Sequence, residues 1–460
     1  MAMVVDVSQL KKAIAAEAPY GLNEQELTGV VIDNRKVEQG NLFVGLPGEK
    51  THGQRFAAQA LAAGAGAVIV EDLAQAKCDG KPNVLLVPSA EKALQQAARK
   101  VRQMIDITLI GITGTNGKTT TKEVVASVLE QSFGSTHASG GNLNNHLGLP
   151  MSLLSIPNTS QYGVFELGMS NPGEIDFIAN ILKPQIGIIT NIGAAHLETM
   201  GTIEAIVDAK AELIAHLPEN GLLLLNADCT WADELASRHQ GRVKKVGVTR
   251  EGERRNLDAE LIKVTIGLDF VEGLLQTKEF GEMGRVRLPI AGVHIATSFL
   301  FAVLVALELG AEPKNIPAAL MNCRPAWGRM ETKEYGGLCI INDGYNANPA
   351  SMEAALRHMA ALDNRVFVVL GEMLELGHVR KEAHENVARL AAKLLPKEQI
   401  FLLGQVYSSA KSLGLGVYEE IDEIAKAMKP MLRRGDTLLV KASRGVGIER
   451  ILPLLFPKEQ

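Results

Sequence analysis

The chain has 460 residues, of which 46% are hydrophobic and 22% charged, and its formal net charge is −5. This length allows two to four domains with real cores, and the composition is ordinary for a soluble globular protein. A slightly acidic chain without basic runs gives no support to nucleic-acid binding. We therefore expect an enzyme that acts on small, anionic molecules.

The cysteines and the apolar segments indicate the compartment. The four cysteines are scattered without metal-binding spacing, which predicts reduced, mostly buried thiols. The N-terminal apolar run is too short for a signal peptide, and its lysines follow the run. Residues 293–307, the most apolar stretch, fall short of the roughly 20 residues that a membrane span needs. These features predict a buried helix at 293–307 and a cytoplasmic protein without membrane insertion.

Three sections of different pattern follow one another along the chain. Residues 1–87 alternate short strands with one alanine-rich helix from about Gln54 to Ala63, which predicts a small α/β domain. Residues 88–312 begin with a helix and then carry continuous apolar strands separated by helices, the pattern of a parallel sheet covered on both faces. Between about 242 and 290 the strands alternate, and we interpret this part as an antiparallel addition. Residues 313–460 predict a doubly wound, Rossmann-like α/β domain, although they contain no GxGxxG.

The strongest local signal is the stretch GITGTNGKTTTKE at 111–123, directly after an apolar strand. Glycines at 111, 114 and 117 allow positive φ angles and a close approach of backbone N–H groups to an anion. Lys118 adds a positive charge, and the following helix would favour a phosphate at its N-terminus. The common phosphate-loop pattern requires glycine where Ile112 stands. We predict a nucleoside triphosphate site in preference to a glycine-rich turn with a solvated lysine.

Other polar residues lie at the C-terminal ends of predicted strands, where open α/β sheets place their sites. Glu166 follows an apolar strand and is predicted to bind Mg²⁺, although a lone glutamate is usually solvated. Asn191 and His196 follow the next strand, and His196 is either a ligand or an ordinary loop histidine.

Four further stretches place polar side chains in loops: GGNLNNHLGLP (140–150), INDGYNANPAS (341–351), RPAWGRME (324–331) and DTLLVKASRG (436–445). Each could be a simple turn or a structural ion pair. Arg329 could instead stabilise phosphoryl charge. Since polar groups occur in both the central and the third section, we expect the nucleotide to lie between them, in a cleft that closes.

Taken together, these stretches resemble the Mur ligase family, the ATP-dependent amino-acid ligases of peptidoglycan synthesis. GITGTNGKTTTKE matches that family's own variant of the phosphate loop, which explains Ile112. GNLNNHLGLP, FELGMSNPGEID, TNIGAAHLETMG, DGYNANPASM and LGEMLELG resemble one branch of the family, which joins D-alanyl-D-alanine to a UDP-N-acetylmuramoyl-tripeptide. The resemblance covers all three sections. It implies an N-terminal UDP-binding domain, a central parallel-sheet P-loop ATPase domain and a C-terminal Rossmann-like domain.

The resemblance also implies roles for individual residues. Catalysis would involve Lys118, Lys210, His196 and Arg329. ATP would be contacted by Gly114, Thr115, Asn116, Gly117, Lys118, Thr119, Thr120, Asn191, His294, Arg329 and Asp343. Two Mg²⁺ ions would be held by Thr119, Glu166, His196 and a carbamylated Lys210. Substrate contacts would come from Asn34, Arg35, Asn144, Asn145, Tyr345, Asn346 and Asn348. A monomer is expected.

One departure from the family pattern concerns the segment GVHIATS. It keeps His294, but Ile295 and Ser298 stand where the family usually has asparagines, so the contact to adenine or ribose could be weakened or supplied differently. Two alternatives therefore stay open. One is the sister ligase that adds the third amino acid, lysine or diaminopimelate, and the other is a non-catalytic nucleotide-responsive binding protein of the same fold.

Overall fold

A computed structural model describes residue 3 and residues 5–250, 252–253, 255–324 and 327–457. Within these residues the chain forms three separate β-sheets that follow one another in sequence. The division into domains at 87 and 312 remains a prediction, but each predicted section contains one of the three sheets.

The first sheet has four parallel strands in sequence order. They are β1 (Val30–Val31), β2 (Leu42–Val44), β3 (Ala67–Val70) and β4 (Val84–Leu86), and the helices of this section are α1 (Val7–Ala13), α2 (Ala57–Ala62) and α3 (Leu73–Ala76). The predicted alanine-rich helix is α2, preceded by a 3-10 turn over Gly53–Phe56. The predicted small α/β unit is therefore confirmed.

The central section begins with α4 (Ala90–Met104) and builds a nine-stranded sheet. Its strands are β5 (Thr108–Thr113), β6 (Thr136–Ala138), β7 (Tyr162–Glu166), β8 (Ile186–Ile189), β9 (Leu222–Asn226), β10 (Arg242–Val248), β11 (Ala259–Ile266), β12 (Val271–Thr277) and β13 (Gly281–Leu288). Its further helices are α5 (Lys118–Phe133), α6 (Gly148–Leu154), α7 (Glu174–Leu182), α8 (Leu197–Met200), α9 (Ile203–Ala211), α10 (Ala232–Ser237) and α11 (Ala296–Glu308). Helix α12 (Ile316–Met321) lies beyond the predicted boundary at 312 but packs against β13 and α5 of this section. The strand order is β13-β12-β11-β10-β9-β8-β5-β7-β6.

The antiparallel addition is smaller than the sequence predicts. Strand β10 pairs in parallel with both β9 and β11, and only β11, β12 and β13 pair antiparallel. The prediction was wrong for β10 because α10 lies between β9 and β10, and a crossover helix returns the chain in the same direction.

The third section carries a six-stranded sheet in the order β14-β15-β19-β16-β17-β18. Its strands are β14 (Glu331–Tyr335), β15 (Leu338–Asp343), β16 (Val366–Leu370), β17 (Ile400–Leu403), β18 (Gly416–Tyr418) and β19 (Thr437–Lys441). Its helices are α13 (Pro349–Ala360), α14 (Arg380–Leu394), α15 (Ile421–Met428) and α16 (Ile451–Leu455). Only β14 runs antiparallel, so the predicted parallel α/β unit is confirmed.

The most apolar stretch of the sequence forms helix α11, which packs against α5 beside the central sheet. Ten of its thirteen residues are buried, because both faces of the helix contact protein. Among the described residues, no helix has the length and apolar character needed to cross a membrane. The predicted buried helix is therefore confirmed.

Candidate functional site

A cavity of ≈ 1780 Å³ lies between the central and the third sheet, where the C-terminal ends of β5, β7 and β15 meet. Its walls include most of the residues that the sequence singled out: Thr115, Asn116, Gly117, Lys118, Thr119, Thr120, Asn144, Asn145, Glu166, Asn191, His196, His294, Arg329, Asp343, Tyr345 and Asn346. Five predicted residues do not line it: Asn34, Arg35, Gly114, Lys210 and Asn348.

The glycines of the phosphate loop have different functions. Gly114 has φ +143°, and a Cβ there would lie 2.0 Å from Thr190 Oγ1, so no side chain fits. Gly117 has φ +80° and directly precedes α5. Gly111 lies inside strand β5 and is not among the glycines with positive φ, so the prediction for it was wrong. Because Gly111 has no side chain, it leaves room for Pro184, whose Cγ would lie 3.2 Å from a Cβ at position 111.

The loop is held by the strand beside it. The backbone N–H of Thr115 donates to the Asn191 carbonyl at 3.0 Å, and that of Asn116 donates to Asn191 Oδ1 at 2.8 Å. Lys118 folds back over the loop, and its Nζ donates to the carbonyls of Gly114 (2.9 Å) and Thr115 (3.3 Å). Desolvation lowers the pKa of Lys118, while the carboxylate of Glu166 opposes that shift. The lysine is therefore fixed at the loop and is not a freely solvated side chain.

A chain of hydrogen bonds connects the third section to the loop. Arg329 Nη2 donates to Thr119 Oγ1 at 2.8 Å, and the Thr119 hydroxyl donates to Glu166 Oε2 at 2.6 Å. Asn144 Nδ2 donates to the other carboxylate oxygen, Glu166 Oε1, at 2.8 Å. Glu166 is buried, with 4% of its surface exposed. A buried carboxylate beside a hydroxyl is an oxygen-donor set of the kind that Mg²⁺ prefers.

His196 faces the third section from the opposite side of the cavity. Its Nδ1 lies 2.8 Å from Glu375 Oε2, and this contact lowers the pKa of the Glu375 carboxyl. Both residues have left-handed backbones, with φ of 55° and 63°. Sequence reasoning did not assign Glu375, although it lies within the quoted stretch LGEMLELG. The contact between His196 and Glu375 brings the loop that follows β8 in the central sheet against the loop that follows β16 in the third sheet.

Lys210 lies in the last turn of α9 and is only 3% exposed. Lys210 is therefore not a solvated lysine on a polar helix face. Burial lowers the pKa of Lys210 well below its usual value, and the nearby charge of Lys118 lowers it further. Within the described residues, no group of three or more His, Cys, Asp or Glu side chains could hold a metal. The two-Mg²⁺ arrangement therefore remains a prediction.

The polar residues of the third section are largely engaged with protein. Asp343 Oδ2 forms a buried ion pair with Lys441 Nζ at 2.6 Å, and its Oδ1 accepts from the Met330 N–H at 3.1 Å. Asn348 caps helix α13, and its side-chain amide exchanges hydrogen bonds of 3.2 and 2.6 Å with that of Asn116. Lys441, only 1% exposed at the end of β19, was not assigned from sequence; its position after an apolar strand was the available signal.

The departure at the start of α11 has a packing explanation. Ser298 is buried, and its hydroxyl accepts from Thr121 Oγ1 on α5 at 2.9 Å. Ile295 is 9% exposed and belongs to the hydrophobic core. His294 still lines the cavity, and desolvation lowers its pKa to about 4, so the ring is neutral near pH 7.

Two predicted substrate residues outside the cavity, Asn34 and Arg35, lie in the first section, whereas Asn145 lines the cavity at the start of a helix. Asn34 and Arg35 lie in the 3-10 helix Asn34–Lys36, where Arg35 makes two hydrogen bonds to Asp33 and remains largely exposed. Asn145 Oδ1 accepts from the N–H of Gly148, the first residue of α6, at 2.8 Å. Their roles in substrate binding remain predictions.

Comparisons with known proteins give matches to one family along the chain. Three family models match: Mur ligase family, catalytic domain at 26–104; Mur ligase middle domain at 112–306; and Mur ligase, glutamate ligase domain at 328–444. The chain is 32% identical to the UDP-N-acetylmuramoyl-tripeptide–D-alanyl-D-alanine ligase of Bacillus subtilis, over 98% of this chain and 97% of that protein.

Two solved structures are also similar. A crystal structure of MurF from Acinetobacter baumannii has a TM-score of 0.88 and 30% identity, with all of both chains covered. A structure of MurF from Thermotoga maritima in complex with ADP has a TM-score of 0.80 and 27% identity, and covers 93% of this chain and 96% of that one.

Proposed function

The chain belongs to the Mur ligase family, and on that premise we propose that it joins D-alanyl-D-alanine to a UDP-N-acetylmuramoyl-tripeptide with consumption of ATP. The similar Bacillus protein carries the name of this activity and is matched over nearly its whole length. The ADP in the Thermotoga structure supports ATP as the nucleotide. The reaction belongs to the cytoplasmic synthesis of peptidoglycan precursors.

One observation carries the proposal: Arg329 of the third section contacts Thr119 of the phosphate loop. Lys118 and Arg329 line the same cavity from different sections, and both are proposed to contact the γ-phosphoryl group. Asp343 and His294 line the same cavity, and they are the proposed contacts of the ribose and the base. A binding protein needs the nucleotide contacts, but an arginine at the transferred group is typical of phosphoryl transfer.

The chemistry follows from the poor reactivity of a carboxylate. The tripeptide carboxylate attacks the γ-phosphorus of ATP, the bond to ADP breaks, and an acyl phosphate forms. The amine of D-alanyl-D-alanine then attacks the acyl carbon, phosphate leaves, and the amine loses a proton as the amide forms. Lys118 and Arg329 offset the negative charge that develops on the transferred group. Bound Mg²⁺, for which Thr119 and Glu166 are the best placed ligands, would supply further charge neutralisation.

Lys210 is proposed to carry a carbamate. Its buried ammonium would first lose a proton, and the neutral amine would lose a second proton as its nitrogen bonds to the carbon of CO₂, so that an oxygen-donor anion suited to Mg²⁺ replaces a cation. His196 is the proposed second ligand of that ion. Burial in α9 supports the role because only a neutral amine can react.

The carbamate has a direct test. Lys210→Ala should be nearly inactive, and short carboxylates such as acetate or propionate should partly restore turnover by filling the vacated anion position. Lys100→Ala, at an exposed lysine of α4, is the matched control and should behave as wild type. Wild-type turnover by Lys210→Ala in bicarbonate-free buffer would refute the carbamate.

Phosphate release with a panel of acceptors tests the proposed reaction. We expect release to require both a UDP-N-acetylmuramoyl-tripeptide and D-alanyl-D-alanine, and to be far slower with lysine or diaminopimelate. Faster release with either amino acid and the dipeptide-level UDP precursor would assign the chain to the sister branch. Nucleotide binding without substrate-dependent phosphate release would favour the non-catalytic alternative.

The remaining parts of the proposal concern substrate contacts, the oligomeric state and the compartment. Asn34 and Arg35 are proposed to bind the uridine diphosphate, and Tyr345 and Asn346 the incoming dipeptide. The chain is proposed to act as a monomer in the cytoplasm. Light scattering at assay concentration measures the oligomeric state.

A further inference from the structure

Three aromatic and cationic side chains continue from the cavity towards the surface next to Arg329. The Arg329 guanidinium lies 4.1 Å from the centroid of the Tyr345 ring. The Arg444 guanidinium lies 5.8 Å from the same ring and 4.6 Å from that of Trp327. We call Arg329, Tyr345, Arg444 and Trp327 the stacked column. Tyr345 and Arg329 line the cavity, while Arg444 and Trp327 lie just beyond its lining.

The backbone holds this column together. The Tyr345 N–H donates to the Gly328 carbonyl at 3.1 Å, which fixes the segment carrying Trp327 and Arg329 beside the ring. Gly328 has φ +66°, and a Cβ there would lie 3.4 Å from Tyr345 Cβ. Arg444 begins a 3-10 turn soon after β19, at the same edge of the third sheet. The backbone segments that carry the two arginines therefore lie close to Tyr345.

Arg444 has donor capacity that the protein does not use. Its side chain is 57% exposed, and the nearest acidic group is Glu449, whose Oε1 lies 3.6 Å from Nη1. Within the described part of the chain, no hydrogen bond from the Arg444 guanidinium is found. A guanidinium stacked on ring faces keeps its N–H edge available, and that edge matches a carboxylate with two parallel hydrogen bonds.

The spacing of the two arginines suits a dipeptide. The guanidinium carbons of Arg329 and Arg444 lie 4.1 and 5.8 Å from the same point, the centroid of the Tyr345 ring. The two carbons are therefore at most about 10 Å apart. Two extended residues span about 7 Å. An acceptor whose amine reaches the acyl phosphate beside Arg329 can therefore extend its carboxylate along Tyr345 towards Arg444. A single amino acid is about half as long, so its carboxylate stays closer to its reacting amine.

We propose that Arg444 binds the C-terminal carboxylate of the acceptor and thereby selects a dipeptide over an amino acid. This inference rests on the proposed function, because it concerns the acceptor of that same reaction. It adds a specificity-determining residue that touches the substrate. It also gives the exposed Trp327 a function as the outer support of the Arg444 guanidinium.

The test compares D-alanyl-D-alanine with its C-terminal amide, which keeps the amine and the length but has no negative charge. Loss of a charge-assisted pair of hydrogen bonds costs about ten- to a hundredfold in affinity. We expect wild type to show a KM for the amide higher than that for the acid by about that factor. In Arg444→Gln the KM for the acid should rise to that of the amide, while the KM for ATP stays unchanged.

Arg389→Gln is the matched control, since Arg389 is equally exposed at 57% in the same section and pairs with Glu385 on its own helix. It should keep the wild-type ratio of acid to amide. The ratio is measured on one preparation, so a partly unfolded variant does not change it, and Arg444→Lys provides a second variant with an intermediate ratio. An unchanged ratio in Arg444→Gln would overturn the inference. No phosphate release by wild type with D-alanyl-D-alanine would instead refute the proposed function.

Discussion

Two loops face each other across the cavity, and they use the same kinds of residues differently. The phosphate loop after β5 is held mainly through its backbone, by Asn191 and by the glycines, so Thr119 and Lys118 reach the cavity. The loop after β15 is held through its own side chains, because Asp343 pairs with Lys441 and Asn348 caps a helix. A polar residue at a strand end thus either lines the cavity or stabilises the surrounding structure, and its hydrogen-bond partners indicate which of these two functions it has.

The largest effect should come from removing the ion pair that holds the loop after β15. Asp343→Asn removes the charge that pairs with the buried Lys441, and an unpaired buried charge costs about 3–5 kcal/mol. We expect that loss in the free energy of unfolding, measured by urea denaturation. Asp343→Asn combined with Lys441→Met should recover part of it. Equal stabilities of Asp343→Asn and wild type would show that the pair is not structural.

A substitution in the phosphate loop should lower turnover and leave the stability of the fold nearly unchanged. Lys118→Ala removes the cation that we propose to contact the phosphates, and loss of such a donor lowers turnover by about 10² to 10³. Since Lys118 donates only to two loop carbonyls, the unfolding midpoint should change little. The measurements are phosphate release and thermal unfolding on the same preparation. A folded variant with near-full turnover would refute the assignment.

The smallest effect concerns the contact between the two loops. Asn348→Ala removes the cap of α13 and the amide pair with Asn116, whereas Asn116→Ala removes the amide pair alone. Loss of a helix cap costs about 1 kcal/mol. The first variant should therefore be less stable than the second by about that amount in thermal or urea unfolding. Equal stabilities would mean that the cap contributes nothing.

Much of the candidate site could be predicted because it lies at strand ends that periodicity identifies. Glu166, Asn191 and His196 were found in this way, and all three line the cavity. Glu375 and Lys441 were not assigned, since each becomes important through a partner distant in sequence, His196 or Asp343. Local sequence contains no information on which of several loops meets a given side chain.

By itself, the sequence determined the alternation of strands and helices, the position of the phosphate loop between a strand and a helix, and the burial of α11, since these depend on residues close together in the chain. Only the tertiary structure decided the strand order, with β5 between β8 and β7 and β19 between β15 and β16. It also decided that Lys210 is buried and that Arg329 reaches Thr119. These features depend on contacts across the whole chain, whose free energy is set by packing and desolvation at positions that no local pattern records.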